Sequence, residues 1–338
     1  MSITAKEPAS LLGISESAVS FALNNKPGVS RATRKRVLDT AKQYGFDFSR
    51  KSTADSAKHG SICFAIYRKS GAVVANTPFF STLMDGVSAS CRREGYECVI
   101  RYLFEDGDLN VQIGSLQSAQ FSGIIVLATE MSESTLQNFD PLGIPVVFLD
   151  AYFEKSEYNY VLINNIQGAY TATDYLIRKC KSQPGYLRSS YSIANFDQRA
   201  DGFYKAIRNA GMSTSQSIVH SLTPSQDGAC ADMKRLLQAG EKIADCYFAD
   251  NDLIAIGAMQ AFRDAGYRIP EDVSIIGFDD MPNCEYITPP LTTIQVPIQF
   301  MGEIATVRII QLIEGQCAKP LKIEISTTLI QRKSVSKK

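Results

Sequence analysis

Two consecutive carboxylates, Asp279 and Asp280, follow an apolar run and are candidates for an acid–base pair. General acid–base catalysis needs a proton partner with a suitable pKa, most often a histidine. The chain has only His59 and His220, and neither stands near the two aspartates in the sequence. No metal-binding motif accompanies the pair. The sequence therefore predicts no catalytic residues and a protein that is not an enzyme.

Metal sites and nucleotide cofactor sites have recognisable residue spacings, which this sequence lacks. No Gly-x-Gly-x-x-Gly run follows a strand-like segment, and there is no Walker phosphate loop. The eight cysteines form no Cys-x-x-Cys pair, and several lie inside apolar runs. Scattered cysteines of this kind are typical of buried free thiols in a reducing compartment. We therefore expect no metal and no cofactor.

Length and hydropathy limit the class of protein. The 338 residues, of which 45% are hydrophobic, leave room for two or three domains with their own cores. No window approaches the roughly 18 consecutive apolar residues of a membrane span. The first eight residues lack the apolar core of a secretory signal. We expect a cytoplasmic protein that makes no membrane contact.

The net charge of zero conceals an uneven distribution along the chain. Residues 1–58 contain ten Lys and Arg against five Asp and Glu, so their local balance is +5 and the remainder carries −5. This asymmetry is typical of a polyanion-binding module on a body that repels the same polyanion. Because five charges are a small excess, the pattern within the basic segment has to decide.

Residues 1–48, called the head below, predict three short amphipathic helices. Thr4 begins a capping-box spacing for the first helix, and Gly13 permits a tight turn after it. Ser15 and Ser30 are suitable N-caps for the second and third helices. Two short helices joined by a glycine turn and braced by a third indicate a helix-turn-helix DNA-binding domain. A small helical interaction domain with a solvated basic helix is the alternative.

The residues of the head also match a known family. The matching runs are ASLLGIS (9–15), AVSFALN (18–24) and KPGVS (26–30), followed by Thr33 and Arg34. They resemble the head of the lactose-repressor/galactose-repressor (LacI/GalR) family of transcriptional regulators. The resemblance implies that this domain binds double-stranded DNA. It also implies a homodimer whose two heads read a pseudo-palindromic operator.

By this resemblance the DNA contacts divide into base readers and phosphate contacts. Glu16, Ser17 and Phe21 are implied to read bases. Phe21 stands where many relatives carry arginine, so it would press on a thymine methyl group instead of binding guanine. Alternatively, Phe21 packs on the core of the head itself. The implied phosphate contacts are Thr4, Ser15, Ser20, Asn24, Ser30 and Thr33, joined by Arg34 on the basic outer face of the third helix.

Residues 49–60 are polar and charged with little helical periodicity, which predicts a linker. In the family this stretch becomes a short hinge helix that wedges a leucine into the minor groove and kinks the duplex. Here the aligned position carries Asp55, whose carboxylate the groove would repel. We hypothesise that the protein bends its operator less than typical relatives do. A flexible, solvated linker is the alternative.

Residues 61–338 alternate strand-like and helical segments, which predicts an α/β fold of parallel sheets with helices on both faces. The strand-like runs are 61–67, 96–101, 122–128, 145–149, 160–163, 217–221, 245–249 and 273–277. Because about 280 residues exceed one core, we expect two doubly wound lobes. A ligand would then bind at the carboxyl ends of the strands.

A second set of motifs resembles the effector-binding core of the same family, which is similar in fold to periplasmic sugar-binding proteins. The motifs are NDLIAIGAM (251–259), IPEDVSIIGFDD (269–280) and PPLTTI (289–294). The resemblance implies discontinuous lobes. The first lobe would comprise about 61–162 and a return near 294–322. The second lobe would comprise about 163–291 and a final strand within 323–332.

The resemblance also implies which residues bind an effector between the lobes. They are Phe79, Phe80, Asp150, Asn165, Arg199, Asn251 and Asp279. Aromatic rings cover an apolar ring face while Asp, Asn and Arg pair with hydroxyls, so the set suits a carbohydrate-type molecule. Plainer interpretations are core packing for the phenylalanines, a strand-end cap for Asp150 and a surface ion pair for Arg199.

Two departures from the family pattern concern the ligand. Most relatives have Asp-Arg after the fourth strand, where this chain has Asp150 and Ala151, and a glycine-rich loop where it has residues 187–196. Since these positions would line or approach the cleft, the effector need not be a simple sugar. We expect a homodimeric repressor whose operator affinity a small molecule controls. A solute-binding protein with the same core is the alternative.

Overall fold

The computed structural model describes residues 9, 12–23, 29–43, 59–74, 78–317 and 319–336. The chain divides into two compact units, Met1–Lys58 and His59–Lys338. Each unit has hydrophobic core residues of its own. The second unit begins two residues before the position that we expected from the sequence.

Two helices of the first unit have their bounds within the described residues, α1 (Glu16–Leu23) and α2 (Arg31–Gln43), and Ala9 and Leu12 before them are also helical. Ser15 Oγ accepts a hydrogen bond at 3.2 Å from the backbone N–H three residues further on, at the start of α1. Ser30 Oγ accepts the equivalent bond at 3.1 Å at the start of α2. Both predicted N-caps are therefore confirmed.

A glycine turn precedes α1, as the sequence predicts. Gly13 has φ +64°, in the left-handed region that glycine adopts without a Cβ clash. The N–H of Ile14 donates to the carbonyl of Ala9 at 3.1 Å, the bond that closes a helix C-terminus. Among the described residues of this unit, Ala9, Val19, Ala22 and Val37 form a buried core. The two described helices thus pack through their small apolar faces.

The second unit is an α/β structure. Its strands are β1 (Ser61–Arg68), β2 (Glu97–Phe104), β3 (Gly123–Leu127), β4 (Val146–Leu149), β5 (Asn159–Ile163), β6 (Gly185–Ser189), β7 (Val219–Leu222), β8 (Cys246–Ala249), β9 (Ser274–Asp279), β10 (Thr292–Gln295), β11 (Lys322–Ile325) and β12 (Thr328–Ile330). Its helices are α3 (Pro78–Arg93), α4 (Leu109–Ser118), α5 (Asn165–Cys180), α6 (Ala194–Asn209), α7 (Gln226–Gln238), α8 (Asp252–Asp264), α9 (Asn283–Tyr286) and α10 (Ile298–Ile313), with 3₁₀ helices at Glu133–Leu142 and Thr214–Gln216.

The strands form two sheets, each the centre of one lobe. The first sheet has the order β11-β5-β4-β3-β1-β2, and all of its pairings are parallel. The second has the order β12-β10-β9-β8-β6-β7, in which only β12 is antiparallel to its neighbour. We call the lobes around these sheets the first lobe and the second lobe. The predicted fold class is confirmed.

Helices cover both faces of the sheets, which explains the apolar strands. Every residue of β3, β4, β5 and β8 is buried, as in parallel sheets with two covered faces. In the first lobe α3 packs on α10, and in the second α5 packs on α6 and α7 on α8. Among the residues that the structure describes, no helix has both the length and the apolar character needed to cross a membrane.

The crossings between the lobes lie a few residues from where we expected them. The sequence suggested a return to the first lobe near 294, but β10 still belongs to the second sheet. We also assigned residues 323–325 to the second lobe, whereas β11 pairs with β5 in the first sheet. The crossings therefore follow residues 163, 295 and 325. Strand pairing, which the apolar pattern does not report, sets these limits.

Strand β6 was not among the strand-like runs of the sequence analysis, and neither was β10. We interpreted residues 187–196 as a loop, but Leu187 and the two residues after it complete β6, and α6 begins at Ala194. β6 has only two large apolar residues, Tyr186 and Leu187, so its apolar run is too short to predict a strand. Its position between β7 and β8 buries both side chains completely.

Candidate functional site

A small cavity lies where the carboxyl ends of strands from the two lobes face each other. Six of the seven predicted effector-binding residues line it, namely Phe79, Phe80, Asp150, Arg199, Asn251 and Asp279. The other lining residues are Val73, Thr129, Ile193, Asn195, Phe196 and Leu253. The cavity has a volume of about 30 Å³, far below the roughly 300 Å³ or more of a pocket that holds a small molecule. A larger ligand therefore requires the lobes to separate or side chains to move. We call this space the inter-lobe cavity.

Arg199 is the centre of the polar network in the inter-lobe cavity and is only 4% exposed. Its Nε donates to Asn165 Oδ1 at 2.9 Å, Nη1 donates to the carbonyl oxygen of Asp250, and Nη2 donates to Asp279 Oδ1 at 3.3 Å. Its guanidinium carbon lies 3.7 Å from the centroid of the Phe278 ring. Arg199 is thus fixed on all sides, and the surface ion-pair interpretation is wrong.

Asp279 ends β9 in a strained backbone conformation. Its φ is +116°, which is rare for a residue with a Cβ and recurs at functional sites. Burial raises the pKa of Asp279 to about 8. Arg199 opposes this shift, while the carboxylates of Asp252 and Asp150 reinforce it. The raised pKa favours the protonated carboxyl, which can donate as well as accept a hydrogen bond.

Asp150 follows β4 and also has a left-handed backbone, with φ +65°. Its Oδ2 accepts a hydrogen bond from Thr129 Oγ1 at 2.6 Å. Its carbonyl oxygen accepts from Asn195 Nδ2 at 3.1 Å, a bond that joins the two lobes. Burial raises the pKa of Asp150 to about 6, against the lowering effects of Thr129, Arg199 and Asn195. The capping and ligand-binding interpretations of Asp150 are compatible with this geometry.

Asn165 does not line the inter-lobe cavity, although it contacts the residues that do. Its Oδ1 accepts from Arg199, and its Nδ2 donates to Asn195 Oδ1 at 3.2 Å and to Gln198 Oε1 at 3.1 Å. Both amide hydrogens therefore have protein acceptors. The structure places Asn165 behind Arg199, where it orients the guanidinium.

Asn165 lines a larger groove instead, of about 650 Å³, between the loop after β4, strand β11 and helices α5 and α6. Exposed or half-buried polar side chains form most of this groove, among them Lys205 and Lys322. The inter-lobe cavity is the better candidate despite its smaller volume, because it alone of the two combines strained strand ends with a buried arginine. No group of three or more His, Cys, Asp or Glu in the described part of the chain could hold a metal ion.

Asn251 is the N-cap of α8, and its Oδ1 accepts a hydrogen bond from the N–H of Ile254 at 2.9 Å. The cap uses one lone pair of this oxygen, and the amide N–H groups of Asn251 can donate to a ligand. Phe79 and Phe80 lie at the start of α3 with their ring centroids 5.0 Å apart, edge to face. Both rings are buried and line the inter-lobe cavity, so the core and ligand interpretations apply together.

Asp250 is a site residue that the sequence analysis missed. Its carbonyl oxygen accepts from Arg199, while its carboxylate accepts from the Tyr186 hydroxyl and, at 2.6 Å, from the N–H of Ser189. Burial raises the pKa of Asp250 to about 6, although these donors lower it. The available signal was its place directly after the apolar run of β8, at the carboxyl end of a strand.

The tertiary fold brings other residues to the inter-lobe cavity that the sequence analysis did not identify. Thr129 follows β3, and Asn195 and Phe196 stand in the first turn of α6, which we had taken for a loop. Phe278, beneath Arg199, lies inside the β9 run and has the sequence pattern of a core residue. Only the strand-end position of Thr129 could have been inferred from the pattern.

The predicted DNA contacts in the head are described in part. Ser15, Ser17 and Ser30 are exposed, and Ser30 Oγ lies 2.8 Å from Thr33 Oγ1. Arg34 is half-buried, and its Nη1 donates to a carbonyl oxygen of α1 at 3.4 Å. Glu16, Ser20 and Phe21 lie on α1, but their side chains are outside the description. Thr4, Asn24 and Asp55 lie outside the described residues, as do residues 49–58 of the linker.

Known proteins resemble the chain over nearly its whole length. A family model for the periplasmic binding protein-like domain matches residues 173–335. The HTH-type transcriptional repressor PurR of Mannheimia succiniciproducens is 31% identical, with 99% of each chain covered. Two solved structures share the fold. They are a complex of the transcriptional regulator CelR with cellobiose (25% identity, TM-score 0.72, 98% and 99% covered) and the lac repressor dimer bound to operator and the anti-inducer ONPF (20%, 0.71, 99% and 100%).

The full-length match to PurR includes the head as well as the two lobes, so it favours a regulator over a solute-binding protein. The fold, the head and the inter-lobe cavity agree with that match. This chain belongs to the LacI/GalR family and is a DNA-binding transcriptional regulator.

Proposed function

We propose that this regulator is a homodimeric repressor of a pseudo-palindromic operator, and that a small molecule between its lobes sets its DNA affinity. The inter-lobe cavity carries this proposal, because Arg199 and Asp279 of the second lobe face Asp150 and Phe79 of the first across it. A molecule that contacts both walls stabilises one arrangement of the lobes over another. Its binding energy can therefore shift the equilibrium between two forms of the dimer.

The heads supply the DNA contacts in this proposal. Glu16, Ser17 and Phe21 of α1 read bases in the major groove. Exposed hydroxyls at the helix starts suit phosphate oxygens, which fix the register of the head on the duplex. The phosphate contacts are Thr4, Ser15, Ser20, Asn24, Ser30, Thr33 and Arg34. A solute-binding protein would have no use for this basic head.

The linker supplies a finer proposal about DNA shape. Asp55 stands where the family inserts a leucine into the minor groove, and its carboxylate is repelled there. We expect a smaller operator bend than relatives produce. A fluorescence energy transfer measurement between the operator ends, on wild type and Asp55→Leu, tests this. A sharp central kink with the wild-type protein would contradict the proposal.

An apolar stripe on the first lobe supports the dimer. Ile100, Tyr102 and Phe104 alternate along the edge strand β2 and are 36%, 46% and 43% exposed. Tyr102 and Phe104 stack with their centroids 6.3 Å apart. Contiguous apolar side chains on an edge strand favour association. We assign this stripe to a second copy of the chain, and the lac repressor, whose fold is shared, is itself a dimer on its operator.

Sedimentation of a charged variant tests the stripe. Tyr102→Glu should shift the protein from dimer to monomer, since a carboxylate would be buried in the contact. Val219→Glu is the matched control, because Val219 is 41% exposed on β7, the edge strand of the other sheet. A dimer that persists in Tyr102→Glu would contradict the assignment.

The lining of the inter-lobe cavity indicates the chemistry of the effector. Phe79 and Phe80 offer apolar ring surface, while Asp150, Asp279 and Arg199 offer acceptors and donors in fixed directions. We propose a small hydroxyl-bearing molecule with one apolar face, of which a carbohydrate is the simplest case. The cellobiose complex of CelR supports a sugar in this fold.

Selection of bound DNA from a random duplex pool tests the proposal as a whole. The pool is selected with full-length protein alone and with each member of a panel of sugars, nucleosides and nucleobases. We expect symmetric half-sites whose recovery one compound changes by about 5–150-fold. Arg199→Lys should reduce this response, whereas Arg178→Lys, an exposed i,i+4 ion-pair residue on α5, should not. Recovery of no symmetric site under any condition would overturn the proposal.

A further inference from the structure

Glu130, three residues after the end of β3, is a buried carboxylate with an unusual set of partners. It is 3% exposed, and in the described part of the chain its hydrogen bonds all come from backbone N–H groups. Oε2 accepts from Lys69 at 2.9 Å, Ser70 at 3.1 Å and Gly71 at 2.9 Å, and Oε1 accepts from Val73 at 2.9 Å and Val74 at 3.0 Å. Five peptide dipoles thus converge on one carboxylate.

Residues 69–74 fold around this carboxylate as an anion-binding nest. Gly71 has φ +71°, which lets successive N–H groups turn toward one point. Burial alone would raise the pKa of Glu130, but the N–H donors of Val74, Val73, Gly71 and Ser70 lower it below the ordinary glutamate value. The ionised carboxylate therefore stabilises the folded conformation of residues 69–74, because hydrogen bonds to an ionised acceptor are stronger than those to a neutral one.

The loop that Glu130 holds forms part of the effector site. It leaves β1 and leads toward α3, whose first turn carries Phe79 and Phe80, and Val73 within it lines the inter-lobe cavity. The residue before Glu130 is Thr129, which bonds the Asp150 carboxylate. Two consecutive residues after β3 thus fix two separate parts of the first-lobe wall.

We propose that Glu130 is a positioning residue of the effector site, an internal anion that folds residues 69–74 and so sets the first-lobe wall of the inter-lobe cavity. This rests on the proposed role of that cavity in effector binding. Glutamine has nearly the same shape, but its amide nitrogen cannot accept from the N–H groups that it would face. Alanine leaves the nest open to a small carboxylate from solution.

Hydrogen exchange at the amides of residues 69–74 tests the first half of the proposal. Protection should fall about tenfold or more in Glu130→Gln and Glu130→Ala, because each loses charge-assisted bonds. Sodium formate should restore protection in Glu130→Ala but not in Glu130→Gln, with sodium chloride at equal ionic strength as the salt control. Glu130→Asp, which keeps the charge, should lie between wild type and Gln and provides a reading if the alanine variant does not fold.

Glu133→Gln is the matched control, because Glu133 is exposed and accepts one backbone N–H, from Lys155 at 3.3 Å. It should leave the exchange of residues 69–74 unchanged. Unchanged protection of these amides in both Glu130→Gln and Glu130→Ala would overturn the proposal.

Calorimetric titration with cellobiose and the compounds of the panel above tests the second half. Compounds that bind wild type should bind Glu130→Gln about tenfold more weakly, and formate should recover affinity in Glu130→Ala. Loss of protection with unchanged affinity would overturn the positioning role. If no compound binds wild type, the proposed effector function fails instead, and the exchange result still decides whether Glu130 folds the loop.

Discussion

The two lobes bury charge on opposite sides of the same cavity, and they do so in different ways. In the first lobe, Glu130 is an anion satisfied by peptide N–H groups, and its pKa is lowered. In the second lobe, Arg199 is a cation held by neutral oxygens, an aromatic face and Asp279. Burial and neighbouring carboxylates raise the pKa of Asp279 to about 8.

The difference illustrates that burial, hydrogen-bond donors and neighbouring charges together set the direction of a carboxyl's pKa shift. Five N–H groups outweigh the burial of Glu130, whereas one arginine does not outweigh the burial of Asp279 among other aspartates. Behind the first-lobe wall, Glu130 therefore carries a charge that five peptide N–H groups hold in place. In the second-lobe wall, the raised pKa of Asp279 favours a protonated carboxyl whose charge a ligand or a pH change can alter.

Replacement of Arg199 should cause the largest change in the free energy of unfolding. Arg199→Met should lower the free energy of unfolding by about 3–5 kcal/mol, because it strands buried polar groups and opens space beside Phe278. Urea unfolding measures this change. Arg178→Met, at a 70% exposed side chain, should cost less than about 1 kcal/mol. Equal costs for the two variants would show that the Arg199 network adds nothing.

Glu130→Gln should have the next largest effect, a loss of about 2–3 kcal/mol in the free energy of unfolding. The reason is that several buried N–H groups lose a charged acceptor at once. Because the folded pKa of Glu130 is lowered, its contribution is present above the ordinary glutamate pKa and is lost as pH falls through the folded value. Wild type should therefore lose stability in acid faster than the variant, as urea unfolding at a series of pH values would measure. Parallel acid profiles would contradict the account.

Replacement of Asp279 should change the free energy of unfolding less than replacement of Glu130, and in the opposite direction. Its raised pKa means that the folded protein keeps a proton that the unfolded chain releases, so stability falls as pH rises from about 4 toward 8. Asp279→Asn, which stays neutral, should flatten this slope, so its stability relative to wild type should rise steadily between pH 5 and pH 8. Thermal unfolding across this range measures it. An unchanged slope in the variant would show that Asp279 is ionised in the folded protein.

The smallest expected effect concerns the head. Ser15→Ala removes the cap of α1 and should destabilise the first unit by about 1 kcal/mol. Exchange of the α1 amides in the full-length protein measures this loss. Ser17→Ala, at an exposed position inside the same helix, should change exchange by less than half as much. A larger effect of Ser17→Ala would argue against the cap.

Much of the fold could be predicted from local patterns. The alternation of apolar runs with helical segments predicted the parallel sheets, and Ser15 and Ser30 marked helix starts because a hydroxyl satisfies free N–H groups. β6 was missed, since two apolar residues do not distinguish a short strand from a loop. The crossings near 295 and 325 were misplaced for a related reason, as β10 and β11 are assigned to their sheets by pairing partners.

The site was predicted less completely. Six residues implied by the resemblance line the inter-lobe cavity, but Asn165 stands behind Arg199. Asp250 and Phe278 contribute through a backbone carbonyl and a ring face, and neither contact has a sequence signal. Nothing in the sequence pointed to Glu130 either, because a lone glutamate after a strand is usually solvated.

The sequence by itself determined the class of protein, the order of its domains and which side chains stand at strand ends. The class of protein follows from motifs that resemble a known family, whereas the strand ends depend on residue type and on spacing along the chain, which local physics converts into helices, turns and strands. Only the tertiary structure decided which of those side chains are buried together and what charge they carry. Burial and the donors around a carboxylate depend on segments far apart in sequence, as Glu130 and residues 69–74 are.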